Sequence, residues 1–335
     1  MRILRLILVL ALTSGAMAQA RSAEAKPQSR HFMFTYSFTV RNSDPGKRLR
    51  IWFPLAHSDA WQQVNVVNAT GDLPLRRTKA AENGNEMFYA ETAKASQPEY
   101  KFAVQYDVVR TERLAMEDGK PLAHQKVAKA EDARFLLPDR MVPVSGRPAE
   151  LAQQQVAGKT TELEKARAIY DYVFATLRYD KTGTGWGRGD VLWVCDAKHG
   201  NCTDFHSLFA SMARSQGIPT RFAIGFPLPA DKHAGDIAGY HCWADFDLKG
   251  AGWIPIDISE AWKHPEKKDY FFGAHDQNRV QFSVGRDLTL NPKQAGAPLN
   301  YFVYPYVEYD GKEYSNVDNH FSFADVADQQ RAALR

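Results

Sequence analysis

Apolar and polar residues alternate with period two through much of the first 145 residues. Phe32, Phe34, Tyr36, Phe38 and Val40 form one such run, Leu49, Ile51, Phe53 and Leu55 a second, and Tyr100, Phe102, Val104, Tyr106 and Val108 a third. Strict alternation means strands with one buried face, and several of them in succession predict antiparallel sheets stacked as a β-sandwich over residues 25–145. The stretch from Lys120 to Pro148, punctuated by Pro121, Pro138, Pro143 and Pro148, marks a crossing into a second region, 146–300. There the period lengthens to that of a helix. Leu163, Ala166, Tyr170, Val173, Phe174 and Leu177 make an apolar stripe behind Thr161 and Glu164, which are spaced as a capping box. Phe205, Leu208, Phe209 and Met212 recur at i, i+3, i+4, i+7 behind Asn201, and Gly217 and Pro219 end that helix. Period two returns in Tyr240–Phe246 and Gly252–Ile258, and again after residue 300, where Asp310-Gly311 joins two short strands as a tight turn. Residues 301–335 therefore read as a C-terminal β extension. The fold class is α+β, and no internal repeat is visible.

The chemistry concentrates where the second helix begins. Cys202 stands directly after Asn201, so it meets the unpaired N–H groups and the positive end of the helix dipole, which favour thiolate over thiol. His241 and Asp257 each lie eight residues from Lys249. A hairpin centred on Lys249 places them opposite one another, with Cα atoms roughly 4.5–5.5 Å apart. A carboxylate beside an imidazole fixes its tautomer and leaves the other nitrogen for a thiol. Strand parity turns Trp243 and Trp253 to the same face as His241 and Asp257, toward a cleft, and sends Ala244, Phe246, Leu248, Ile254, Ile256 and Ile258 to a buried face.

At these residues the chain resembles the transglutaminase-like superfamily of cysteine enzymes. The motifs are Gly200-Asn201-Cys202 at a helix start, His241-Cys242-Trp243 on a strand, and Trp253 to Asp257 on the next, with likeness extending over residues 145–275. The resemblance implies a papain-like core behind the sandwich and acyl-transfer chemistry on amides. Cys202 would attack the carbonyl, His241 would protonate the leaving amine, Asp257 would steady the imidazolium, and water or an amine would resolve the thioester. The Cys202 N–H is an oxyanion donor. Trp193 and Trp186 are candidates for the second, with Trp193, Trp243 and Trp253 the expected substrate-binding side chains. No cofactor and no metal enter this scheme.

The first residues carry Arg2 and Arg5, an apolar run from Leu6 to Leu12 and Ala16-Met17-Ala18, the outline of a signal peptide over 1–18. No cysteine sits there to take a lipid, so no membrane anchor is expected after cleavage. Two arginines and no acid leave with residues 1–18, so the net charge of +3 becomes +1, which gives no case for nucleic acid. A sequon at Asn201-Cys202-Thr203 would put a glycan beside the thiol, so a bacterial periplasm or medium fits better than a glycosylating pathway. The expected substrates are peptides, proteins or cell-wall peptide stems. The oligomeric state is not legible.

Other features carry two readings each. Cys195, His199, Cys202 and His206 cluster as metal ligands do, yet their spacing matches no common zinc pattern. Cys195 and Cys242 either form a disulfide that leaves Cys202 free or are plain buried thiols. Tyr301, Tyr304, Tyr306, Tyr309 and Tyr314 read as core or edge packing ahead of a sugar platform, and Arg188-Gly189-Asp190 as a coincidence in a Gly-rich loop. Asp231, Lys232, His233 and Asp236 suggest a polar loop that wets the cleft, which tilts the expectation toward hydrolysis. A non-catalytic binding or scaffold role is the alternative to an enzyme.

Overall fold

The computed structural model describes residues 26–43, 45–122 and 132–327. Residues 1–18, where a signal peptide is expected, lie outside that set. In chain order the main strands are β1 (Ser29–Val40), β2 (Leu49–Leu55), β3 (Gln62–Gly71), β4 (Arg76–Lys79), β5 (Glu86–Thr92), β6 (Tyr100–Thr111), β7 (Thr220–Pro227), β8 (Ala234–Asp236), β9 (His241–Leu248), β10 (Gly252–Ile256), β11 (Arg279–Val284), β12 (Tyr306–Tyr309), β13 (Lys312–Glu313) and β14 (Val317–Asp325). The helices are α1 (Arg147–Gln155), α2 (Glu162–Thr176), α3 (Val191–Ala197), α4 (Cys202–Ser215) and α5 (Ile258–Lys263). Among the described residues no helix is long and apolar enough to cross a membrane.

The alternating N-terminal runs build two five-stranded antiparallel sheets, ordered β8-β14-β1-β6-β3 and β13-β12-β2-β5-β4. Their inner faces meet in one aromatic core. Tyr36 stacks on Phe53 with ring centroids 6.2 Å apart and meets Phe321 at 4.8 Å, while Phe38 packs on Phe53 and Phe102. Each fully buried aromatic of this kind contributes about 1.5–3 kcal/mol relative to leaving it in water. The last strands are not an appendage. β14 pairs along β1 with Tyr36 opposite Phe321, and β12 pairs with β2, so the C-terminal residues complete both N-terminal sheets. Their apolar faces supply the partner that β1 and β2 would otherwise lack, a requirement that local alternation does not reveal. Asp310 and Gly311 both take positive φ, as a two-residue hairpin turn between β12 and β13 demands. Tyr306 and Tyr309 are buried in the sheets.

A third sheet, β10-β9-β7-β11, carries the catalytic-type motifs and is also antiparallel throughout. It is not separated from the sandwich by a seam: Phe226 and Phe282 on β7 and β11 lie 5.3 and 5.6 Å from Phe34 of β1. At Gly225 the two strands come so close that a Cβ would sit 1.9 Å from the Val280 carbonyl oxygen. The other face of β9 packs on the helices, with Phe246 against Phe209 of α4.

Helix α2 starts where the sequence places it, with the Thr161 hydroxyl accepting from the Glu164 N–H and the Glu164 carboxylate accepting from the Thr161 N–H. Helix α4 differs from the amphipathic surface helix that its stripe predicts. Every residue from Cys202 to Arg214 is buried, because α1, α2, α3 and the third sheet surround it. Its polar side chains therefore find internal partners: Ser211 donates to the Pro143 carbonyl, and Arg214 donates to the Thr220 carbonyl at 3.0 Å and to Asp139 at 2.7 Å. Buried polar groups left without such partners would cost about 1–3 kcal/mol each.

Candidate active site

Cys202 occupies the first turn of α4, and its placement is fixed from both sides. Asn201 caps the helix by accepting from the Thr203 N–H at 2.8 Å. Asp204 reaches back to the Asn201 N–H at 2.8 Å and also accepts from Gly187 at 2.6 Å and Gly189 at 2.9 Å. One carboxylate thus sews the Gly-rich loop to the helix start. Gly189 is required there, since a Cβ would lie 2.2 Å from the Ser207 hydroxyl. The Cys202 N–H, at the first helical position, has no partner within the helix and is free to face a developing oxyanion.

His241 begins β9 and Asp257 caps α5, so Asp257 is a helix N-cap and not a strand residue. The hairpin register is Ala244 to Ile256 and Phe246 to Ile254, two residues away from one centred on Lys249. Parity survives a shift of two, so the facing of the side chains is kept. His241 and Asp257 still meet, with Nε2 to Oδ2 at 2.7 Å, because the chain leaves β10 and turns into α5 beside the head of β9. This leaves His241 Nδ1 for the thiol, and the Cys202 and His241 side chains are within hydrogen-bonding reach. The structure brings Cys202, His241 and Asp257 into one chain of contacts.

Three further residues complete the cluster. Arg279 on β11 donates to Asp257 Oδ2 at 2.9 Å, the same oxygen that serves His241, and its guanidinium lies 4.9 Å over the Trp243 ring. His206, one turn beyond Cys202, is fully buried. Its Nε2 accepts from the Ile258 N–H at 3.0 Å, so Nδ1 carries the proton and donates to the Cys202 carbonyl at 2.8 Å. Cys242 faces the helix start, with its sulfur 3.7 Å from Thr203 Oγ1 and 3.9 Å from His206 Nδ1. The i+4 spacing from Cys202 to His206 is visible in the sequence as a shared helix face. Arg279 leaves no such signal, since its partner Asp257 belongs to another element.

The charges in this cluster sustain one another. Burial pushes the Cys202 thiol up, but hydrogen bonds from Cys242 and His241 and the positive imidazole outweigh it and hold it well below the usual thiol range. Burial disfavours charge on His241, and Asp257 together with the Cys202 sulfur overcomes it, raising His241 to about 10. Asp257 is likewise opposed by burial and held well below the usual carboxylate range by His241 and Arg279. His206 is buried as well, and burial chiefly lowers its basicity, in keeping with its single neutral tautomer. The shifts of Cys202 and His241 both favour a thiolate-imidazolium pair over the neutral thiol and imidazole.

The expected substrate-binding tryptophans fare differently. Trp243 is 1% exposed and packs on His241 and His275, so it supports the imidazole from behind and reaches no cleft. Trp253 stands near the turn end of the hairpin, four strand positions or about 13 Å along the chain from Asp257. There Arg221 lies over its ring at 4.4 Å and Phe135 meets its edge. Trp193 on α3 is half-buried against His199 and Gly185, on the side of the Gly-rich loop, and Trp186 donates to the Gly183 carbonyl. What borders the thiol instead is a set of tyrosines. Tyr240 accepts from Asn201 at 2.9 Å, lies 3.0 Å from Thr203 Oγ1 and packs on Tyr301 and Tyr304. With Cys202 at 1% and His241 at 4% exposure, the site is closed. The polar loop does not wet it: β8 pins residues 234–236 to β14, and Arg30 donates to the Pro229 and Lys232 carbonyls, which ties the segment to the sandwich edge.

Cys195, Cys202 and Cys242 are all free, and Cys195 packs in the helical core, away from Cys242. His199 turns to the Asp180 carbonyl at 3.2 Å. Among the described residues no group of three or more metal-ligating side chains is assembled.

Residues 149–258 match the model of the transglutaminase-like superfamily, a span that contains Cys202, His241 and Asp257. An uncharacterized protein of Haemophilus influenzae is 27% identical over 329 residues, covering 86% of this chain and 87% of its own. The crystal structure of a candidate cysteine protease from Cytophaga hutchinsonii aligns with a TM-score of 0.58 and 13% identity, over 90% of this chain and 92% of that one. The periplasmic domain of TgpA from Pseudomonas aeruginosa aligns at a TM-score of 0.34 with 15% identity, over 75% of this chain and 93% of that one.

Proposed function

We propose that this chain, whose residues 149–258 match the model of the transglutaminase-like superfamily, is a cysteine-dependent enzyme that opens amide bonds through a thioester on Cys202. The observation that carries this reading is the Cys202, His241 and Asp257 alignment, with His241 Nε2 held by Asp257 at 2.7 Å and Nδ1 left for the thiol. In the forward step the Cys202 thiolate attacks the carbonyl carbon, and the oxygen moves into reach of the Cys202 N–H. His241, already protonated, gives its Nδ1 proton to the departing amine as the C–N bond breaks. Asp257 keeps the imidazole in the orientation that makes this transfer possible, and Arg279 keeps Asp257 ionised.

The second half of the reaction admits water or an amine. A protein or peptide, including the peptide stems of a cell wall, is the substrate class that supplies such amides outside the cytoplasm, where the leader-like residues 1–18 would send the chain. The tyrosine-lined, closed site means that the acyl donor must part Tyr240 from its neighbours to reach the thiol. Incubation of the protein with a library of peptides and cell-wall fragments, with and without a millimolar primary amine, tests the reading. Release of ammonia or amine with transient acylation of Cys202 supports it. Free acid as the main product marks a hydrolase, and amine adduct marks a transferase. A protein that neither releases amine nor becomes acylated at Cys202 with any member of the library would overturn it.

A further inference from the structure

Cys242 has no part in the acyl-transfer scheme, yet it is one of three cysteines in the chain and it faces the nucleophile. It follows His241 directly on β9 and points to the opposite side of the strand, toward α4. Its sulfur is 3.7 Å from the hydroxyl of Thr203, the residue after Cys202, and 3.9 Å from the His206 nitrogen that donates to the Cys202 carbonyl. Both side chains are buried in the same core, and the Cys202 sulfur acts directly on the Cys242 thiol. We propose that Cys202 and Cys242 form a reversible intramolecular disulfide, which makes the pair an oxidative modification site on the nucleophile itself.

The chemistry follows from the unequal state of the two sulfurs. Cys202 is held as thiolate, while burial and the neighbouring Cys202 charge keep Cys242 protonated. A thiolate is the species that peroxides oxidise. With hydrogen peroxide as oxidant, the Cys202 sulfur attacks one oxygen, the O–O bond breaks, and the departing hydroxide leaves as water with a proton from His241. Cys202 is then a sulfenic acid. The Cys242 sulfur attacks the Cys202 sulfur, the S–S bond forms as the S–O bond breaks, and the Cys242 proton leaves with the second hydroxide as water. Two thiols have given up two electrons and one peroxide has become two waters. A thiol reductant reverses the bond by exchange. Without Cys242 the sulfenic acid would have no resolving partner and would proceed to the irreversible sulfinic acid. The arrangement therefore protects the nucleophile while silencing it.

This site uses the same thiol as the proposed reaction, so the test reads the bond and needs no substrate. The reduced full-length protein is exposed to a small excess of hydrogen peroxide, then denatured and alkylated, and its thiols and peptides are counted by mass spectrometry. The expected result is loss of two of the three thiols, a linked Cys202–Cys242 peptide, a free Cys195 and full recovery with dithiothreitol. In Cys242→Ser the linked peptide should vanish, and Cys202 should be captured as sulfenic acid by dimedone or found as sulfinic acid. Should that variant fold poorly, Cys195→Ser must still lose both remaining thiols together to one linked peptide. Accumulation of sulfenic or sulfinic Cys202 in the wild-type protein, with Cys242 still free, would overturn the proposal. A linked peptide in a protein that turns over no amide would leave the disulfide standing and remove only the acyl-transfer reading.

Discussion

Asp257→Asn isolates the electrostatic part of the site from its architecture. Asparagine caps helices about as well as aspartate, so the bond from Glu260 N–H at 3.0 Å that starts α5 can persist. What changes is the oxygen that faces His241 at 2.7 Å. With its amide NH₂ group there, the substituted side chain donates to Nε2, which moves the imidazole proton to Nδ1 and points an N–H at the thiol without the positive charge. A rise of His241 from an ordinary value near 6.5 to about 10 corresponds to of order 5 kcal/mol in favour of imidazolium, at about 1.4 kcal/mol per unit. Asp257 and the Cys202 thiolate share that preference. If Asp257 supplies half, its loss removes about 2.5 kcal/mol, or roughly 70-fold in the thiolate-imidazolium population. The assay is the rate of Cys202 alkylation by iodoacetamide between pH 5 and 9, with Cys202 located by peptide mass. The wild-type rate should stay on a plateau well into the acid range. The variant should lose that plateau and rise only as pH approaches the ordinary thiol value, with a slowdown of roughly 70-fold near pH 6. Superimposable profiles, in a variant whose thermal midpoint shows that it is folded, would refute the assignment of Asp257 as the group that holds His241 charged.

Four other outcomes follow from the same structure. In the wild-type protein Cys195, whose thiol burial pushes up, should label far more slowly than Cys202 at neutral pH; comparable rates would count against an activated thiol. Turnover on any substrate found should fall as pH rises through about 10, where His241 loses the proton it gives the leaving amine, whereas alkylation should not fall there, since the thiolate remains; a parallel decline of both would contradict the assigned proton donor. His206→Leu removes the acceptor of the buried Ile258 N–H and should lower stability by about 1–3 kcal/mol, read from the urea midpoint, and an unchanged midpoint would mean that this N–H finds another partner. For Thr161→Ala, loss of half of the capping box on α2 should cost about 0.5–2 kcal/mol in the same measurement.

The parts of the site that local rules govern were legible in the sequence. Asn201 before Cys202, and Thr161 three residues before Glu164, are cap spacings that need no tertiary information, and both are occupied as such. Strand parity placed Cys242 away from His241. The hairpin register was off by two because Leu248 pairs with Gly252, which makes the turn Lys249, Gly250 and Ala251, and Pro255, which has no N–H to donate, gives no register signal. Trp253 was misplaced by the same reasoning, since parity states a face and says nothing about distance along the strand. Arg279, Tyr240 and the closure of the site depend on contacts between distant elements. Residues 317–325 read as an extension because their partner strand begins at residue 29.

That pairing has a consequence for when the protein becomes complete. β14 lies between β8 and β1 in its sheet, and β8 lies on the segment that runs directly into Tyr240 and His241. Until Val317–Asp325 has been synthesised and has inserted, β1 lacks one neighbour and the approach to His241 lacks its anchor. Contacts of this sequence separation are slow to form. The order of events is thus written into the topology: the nucleophile's helix can assemble from residues close in the chain, but the base beside it takes its final position only when nearly the last described residue has arrived. A nascent or clipped chain that stops short of residue 317 would carry the cysteine without the scaffold that arms it, so β14 makes the arming of the cysteine depend on residues far along the chain from β1.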